Sequence, residues 1–433
     1  MVDLKRYLLS LDGFEPIRYR GRITKVVGLA IQAQGPRGSI GELCYIQTPD
    51  RVIKAEIEGF REGATLLMPL GETEKISSGC QVTASGDVLK IRVGPGMTGR
   101  VLDGLGVPID GQGPIPCAEW KSVTSAICNP LNRKRIKEVL PLGIKAIDGL
   151  LTCGKGQRLG VFSGSGVGKS TLLGMMARNT DADVNVIALI GERGREVNDF
   201  IAKDLGEEGL KRSVIVVATS DQPPLVRIKG AFVATAIAEY FREQGKDVLL
   251  MMDSVTRFAM AQREVGLAIG EPPTTKGYTP SVFTLLPQLL ERAGTSEKGT
   301  ITGLYTVLVE GDDFNEPIAD AVRGTIDGHI ILSRQLAAQN HYPAIELLNS
   351  VSRLMPDLVT AEHQEKAGHL RSILATYQNA KDLIDLGAYK DGSNPEIDEA
   401  IQMIDRCNAL LQQGIGEKYT FEETVKLLCD LFS

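Results

Sequence analysis

One tryptophan, four histidines and an aromatic content of 5% leave this 433-residue chain poor in the side chains that many recognition surfaces use. Without clustered aromatics there is no stacking platform for a single strand, and a net charge of −6 provides no basic field for a polyanion. Nucleic acid is therefore not expected as a partner. No apolar run approaches the roughly 20 residues that a membrane-spanning helix needs. The opening MVDLKRYLLSLDGFEP places Asp3, Asp12 and Glu15 where a signal peptide requires an apolar core, which predicts a cytoplasmic protein. The seven cysteines are odd in number and contain no C-x-x-C pair. Reduced, mostly buried thiols follow, rather than disulfides or zinc. His363 and His369 are six residues apart, a spacing that does not put both on one helix face, so they do not read as a metal pair. What remains, 43% hydrophobic and 24% charged residues, is ordinary for a globular chain with room for two to four domains.

The stretch that organises the rest is residues 159–171, LGVFSGSGVGKST. Leu159, Val161 and Phe162 read as the end of a buried strand, 163–168 as a tight loop, and 170–178 as a helix. Strand, glycine loop, helix is the order of a phosphate-binding loop. Gly164, Gly166 and Gly168 let successive backbone N–H groups of Ser165, Val167 and their neighbours point at phosphate oxygens. The helix N-terminus at Ser170 and Thr171 adds partial positive charge, Lys169 can reach the outer phosphates, and the Ser170 hydroxyl is placed for Mg²⁺. The usual pattern opens with glycine; here Ser163 stands in that place.

Around this centre the texture of the chain changes several times, and the fold class it predicts is multidomain α/β. Residues 1–18 carry Leu4, Tyr7, Leu8 and Leu11, a helical apolar stripe that reads either as a cap or as a docking arm. Residues 19–93 hold short β-prone runs at 22–29, 42–47, 52–60 and 65–69, punctuated by glycine and proline, which predict a small closed barrel acting as a scaffold. From 94 a glycine- and proline-rich transition leads into the nucleotide-binding domain, which runs to 353. There, apolar runs at 184–190, 214–219, 248–252 and 304–309 alternate with helical patterns at 196–205, 229–243 and 254–269. Such alternation predicts a parallel sheet covered on both faces. Residues 354–433 read as a helical domain broken at 391–395.

Ligands of parallel sheets collect at the carboxyl ends of the strands. Two acids stand there: Glu192, after the run 184–190, and Asp253, closing 248–252. An acid in the second position suits Mg²⁺ held through water. One in the first is placed to deprotonate an attacking water, although a helix cap has the same address.

SGSGVGKST, IGERGREV, LLMMDSVTRFAMAQREVGLAIGEPP, KGYTPSVF and HYPAIELLNSVSR follow one another at spacings that resemble the type III protein export ATPases, the flagellar export ATPase most of all, and through them the catalytic subunit of rotary ATP synthases. The resemblance implies a RecA-like core that hydrolyses ATP with Mg²⁺. It assigns phosphate binding to Lys169, the Mg²⁺ hydroxyl to Ser170, water activation to Glu192 with Arg193 near the γ-phosphate, Mg²⁺ organisation to Asp253, and adenine stacking to Tyr342. Arg353 matches an arginine that related rings insert into the neighbouring subunit's site, so a homohexamer is implied. Further implied partners are a coiled-coil central stalk facing the loop 270–283, a stator-like regulatory protein at the N-terminal arm, export chaperones and substrates, and an export gate reached from the inner face of the membrane. Three other readings are compatible with the same motifs: a rotary synthase subunit, a hexameric RNA translocase, and a nucleotide-binding scaffold without turnover.

Overall fold

The computed structural model describes residues 19–116, 119–125, 129–309 and 313–432. The arm at 1–18, with its proposed docking role, lies outside them, as do Cys117 and Cys128. Six strands, β1 Arg20–Val27, β2 Ala30–Gln34, β3 Glu42–Gln47, β4 Val52–Arg61, β5 Ala64–Pro69 and β6 Gln81–Val88, close into an antiparallel barrel in the order β1-β2-β5-β4-β3-β6. Every second residue points inward, so Ile23, Ile31, Ile46, Ile57, Leu67 and Val82 fill the interior. Exposed and buried residues alternate along β4 from Val52 to Ala55, and the alternation fails at Glu56. This acid is buried because the barrel leans on the helix Pro224–Glu243, where Lys229 Nζ donates to Glu56 Oε1 at 2.6 Å.

After the barrel come β7 Lys90–Val93, β8 Val101–Asp103 and β9 Glu119–Ser122. Strand β9 pairs with β7, while β8 joins the edge of the central sheet. That sheet is completed by β10 Arg158–Ser163, β11 Val184–Ile190, β12 Ser213–Ala218, β13 Asp247–Asp253, β14 Gly294–Thr295, β15 Thr300–Leu308, β16 Gly328–Leu332 and β17 Ile345–Ser352. Its order is β17-β16-β10-β15-β13-β11-β12-β8, with β14 beside β15. Strands β16 through β8 in this order are mutually parallel, and β17 closes the other edge antiparallel to β16.

Successive residues of β11 enter two different cores. Val184, Val186, Ala188 and Ile190 pack with the helices Pro224–Glu243, Val255–Ile269 and Pro280–Leu290. Ile187 and Leu189 pack with the helix Lys169–Asn179 and with residues of the C-terminal helices. The strand is apolar except for Asn185, whose Nδ2 donates to Ala177 O at 2.8 Å, because both of its faces are covered. Across one face, Arg292 grips Glu239 with two hydrogen bonds of 2.8 and 2.7 Å, each side chain about 3% exposed.

The C-terminal part consists of the helices Ala361–Asp385, Pro395–Leu411 and Phe421–Asp430. Each starts on a side-chain cap, Thr360, Asn394 and Thr420 respectively, the last forming a capping box with Glu423. Leu370, Ile373, Cys407, Leu411 and Leu428 carry this unit into the core beside the phosphate-loop helix. His363 Nε2 donates to Gly149 O at 2.7 Å, whereas His369 meets Glu399, so the two histidines have separate structural duties. Cys44, Cys153 and Cys407 are buried thiols.

Candidate active site

The phosphate loop forms where β10 ends. Ser163 closes the strand fully buried, and its hydroxyl finds no hydrogen-bond partner among the described residues. Gly166 at φ +80° and Gly168 at φ +85° take left-handed conformations that a side chain disfavours, and Gly168 caps the helix that begins at Lys169. Ser165 and Gly166 are exposed, Val167 is buried, and Ser170 opens to solvent on the first helical turn beside Thr171.

Lys169 bends back across the sheet. Its Nζ donates to Asp253 Oδ1 and stands 3.8 Å from Glu192 Oε1. Asp253 ends β13, is only 4% exposed, and accepts a second hydrogen bond from Thr306 Oγ1 at 2.7 Å. Glu192 follows β11, the next strand along, so the register of β11 against β13 brings the two acids to one lysine. Burial pushes the Glu192 carboxyl up to about 7, the negative charge of Asp253 adds to this, and Lys169 opposes it. One cation between two acids leaves an ionised site one negative charge in excess. Arg193 is 79% exposed and pairs with Glu196 at 3.3 Å rather than with this cluster. A hydrogen bond with Glu192 holds Glu196 below the usual carboxylate range.

Beyond the loop lies a cavity of about 400 Å³ lined by Val167, Leu172, Met175, Leu332, Tyr342 and Ile415. The Tyr342 ring stands so close to Gly168 that a Cβ there would lie 3.4 Å from its Cε1. Gln413 also lines this space, and its side-chain amide is fully engaged. Its Oε1 accepts from Lys145 N at 2.9 Å, and its Nε2 donates to Gly143 O and Glu417 O.

Arg353 is elsewhere. Its N–H donates to Asp327 O, and Asp327 N–H donates to Arg158 O, the first residue of β10. The phosphate loop begins at the other end of that strand, five residue steps or about 17 Å away. Arg353 is exposed, with Nη2 3.5 Å from Arg323 O. The loop 270–283 is exposed from 272 to 276 but anchored by Tyr278, which is 2% exposed and lies 5.2 Å under the Arg263 guanidinium.

Lys169, Ser170, Glu192 and Asp253 therefore gather around one loop, with Tyr342 on its far side, while Arg193 and Arg353 face away from it. Thr306, Gln413 and Arg334, which lies on Gly164, were missed in the sequence because each contact joins segments distant along the chain.

The ATP synthase alpha/beta family, nucleotide-binding domain, matches residues 143–352, and that family's beta-barrel domain matches 23–86. The T3SS EscN ATPase C-terminal domain matches 359–430. The flagellum-specific ATP synthase of Bacillus subtilis is 56% identical over 95% of this chain and 94% of its own. A type 3 secretion system ATPase from Xanthomonas euvesicatoria is 50% identical over 95% and 93%. The assembled ATPase EscN from the type III secretion system of enteropathogenic E. coli superposes with a TM-score of 0.91 at 46% identity, covering 95% of this chain and all of that one. EscN in complex with its central stalk EscO gives 0.88 over the same coverage. A barrel, a phosphate-loop sheet and a helical C-terminus, each matched in order and together spanning nearly the whole length, show that this chain belongs to the ATP synthase alpha/beta family, among its flagellum-specific and type III secretion ATPases.

Proposed function

We propose that this protein hydrolyses ATP to drive flagellar-type protein export, at sites completed between neighbouring copies of the chain. The observation that carries the reading is the split of the charged machinery: Lys169 lies between Glu192 and Asp253 at the carboxyl end of the sheet, whereas Arg353 stands at its amino end. A single copy cannot bring Arg353 to its own phosphate loop without breaking the β16–β17 pairing that holds it.

The oxygen-only donors Ser170 and Asp253 fit Mg²⁺ held jointly with phosphates and water, as a hard cation prefers. Bound there, the metal would neutralise charge on the outer phosphate oxygens. Lys169 leaves its acids to meet the phosphates, which removes the cation opposing the raised Glu192 affinity for a proton. Glu192 then accepts a proton from the attacking water. Arg353 of the next copy balances the charge that spreads over the transferring phosphoryl group. Tyr342 and the apolar cavity beside Gly168 hold the base. The protein supplies little covalent chemistry; its contribution is position and electrostatics.

The assembled EscN and its complex with a stalk support a homohexamer around a coiled-coil stalk, met by the C-terminal helices and the exposed part of loop 270–283. Release of chaperones, unfolding of substrates, a stator-like protein at the N-terminal arm, and a cytoplasmic site of action against the inner-membrane export gate complete the proposal. The match of 359–430 to an export-type C-terminal domain favours this over a rotary synthase subunit. A phosphate-release assay of wild type beside Glu192→Gln tests it. Turnover in the first and its loss in the second is expected, and equal inactivity of both under assembly conditions would favour a scaffold.

A further inference from the structure

Three glycines punctuate the phosphate loop, and only two have a conformational reason to be there. Gly166 and Gly168 lie at positive φ; Gly164 does not. What Gly164 meets instead is a side chain. A Cβ added at this position would fall 2.6 Å from both Nε and Nη2 of Arg334 and 3.0 Å from its Cζ, so the plane of the guanidinium lies directly on the glycine. Contacts this short do not occur between real atoms, so either the arginine or a side chain can occupy that space, but not both.

The placement follows from the sheet. Strand β16 ends at Leu332, in register with Ser163 at the end of β10. Ser333 Oγ accepts the Leu336 N–H at 3.3 Å and turns the chain, which brings Arg334 over the first residue of the loop. The guanidinium thus reaches the loop from the side opposite β13, whose Asp253 engages Lys169.

We propose that Arg334 is a positioning residue for the phosphate loop. Its planar cation clamps the opening turn at Gly164, so that the backbone cradle stands formed before nucleotide arrives. The clamp lowers the ordering cost of binding and adds positive charge beside the phosphates. This rests on the phosphate-site reading of the loop.

The test is a mutant cycle on the full-length protein, using Gly164→Ala, Arg334→Ala and the double variant. Equilibrium binding of a fluorescent ADP analogue with Mg²⁺ is measured alongside KM and kcat for ATP. Arg334→Ala should weaken nucleotide binding about tenfold and raise KM similarly, with kcat at saturation within about twofold of wild type. Gly164→Ala should weaken binding at least as much, because its methyl must expel the guanidinium. The double variant should bind no more weakly than Arg334→Ala alone, since the methyl then enters vacated space. If the two losses simply add, or if Arg334→Ala removes kcat and leaves affinity intact, the clamp is refuted. If Gly164→Ala is insoluble, recovery of soluble protein in the double variant supports the clamp and continued insolubility refutes it. Absence of nucleotide binding by wild type would instead refute the phosphate-site reading itself.

Discussion

Lys169 and Arg353 stand at opposite ends of one sheet: the lysine follows the carboxyl end of β10, and the arginine is tied through Asp327 to Arg158 at that strand's amino end. Each is fixed by backbone pairing rather than by a mobile tail. Under the proposed function, that separation leaves the nucleotide site of one chain to be completed by the arginine of another.

Hydrolysis should therefore depend on assembly. Activity per chain is expected to rise steeply with protein concentration until the ring forms and then level off. Arg353→Ala should lower kcat by about 10³ or more while leaving binding of an ADP analogue nearly unchanged, as the proposed action of the arginine on the transferring phosphoryl group requires. Steady-state rates over a concentration series, paired with equilibrium binding, check both.

Thr306→Val tests how Asp253 is held. The valine keeps the shape of a buried position but removes a hydrogen bond of 2.7 Å to the carboxylate. A loss of about fivefold to tenfold in kcat, with a melting temperature only slightly lowered, is expected for an acid whose orientation matters. Activity equal to wild type would mean that Lys169 and the strand alone position Asp253.

If the cavity beside Gly168 holds the base as proposed, discrimination among purines should be weak. The cavity is walled mostly by apolar side chains, and Gln413, the one side-chain amide among the described residues that line it, has both of its Nε2 hydrogens and its Oε1 engaged by backbone groups. Strong selection requires buried polar groups that a wrong base would leave unpaired. The value of kcat/KM for GTP should fall within about tenfold of that for ATP. A ratio beyond 10³ would reveal a reader of the base edge.

A pH effect on stability should come from the barrel. Burial, and then the neighbouring Glu56, push the Glu58 carboxyl up to about 7. Its folded affinity for a proton exceeds that of the unfolded chain, so this group costs nothing below the unfolded value near 4.5. Its penalty grows as pH rises to about 7 and is fully present above. Glu58→Gln should therefore be more stable than wild type at pH 8 by on the order of 2 kcal/mol, with the gap closing toward pH 5. Urea midpoints across that range measure it, and a gap independent of pH would contradict the assignment.

Much of this architecture was legible in the residues. Runs as nearly apolar as VNVIALI mark strands covered on both faces, and the acid after each of two runs marks the end of the sheet where ligands gather. Local pattern stops where a contact joins distant segments. In VIKAEIE, Glu56 has the local pattern of a half-exposed strand, and its burial is explained by Lys229, 173 residues on. Tyr278 lies in the loop 270–283, which the resemblance turns toward a partner, yet its ring is in the core. Thr306 lay hidden in an apolar run, and the place of Arg353 came only through resemblance, because nothing in NSVSR tells a finger from a strand end.

The most direct test of completion between copies mixes two inactive proteins. Lys169→Ala lacks the phosphate cation but retains Arg353; Arg353→Ala has the reverse. In mixed rings, up to about a quarter of the interfaces pair an intact phosphate loop with an intact arginine, so ATP hydrolysis should reappear on mixing and peak near equal proportions. Continued silence at every ratio, in rings shown to contain both variants, would contradict the account.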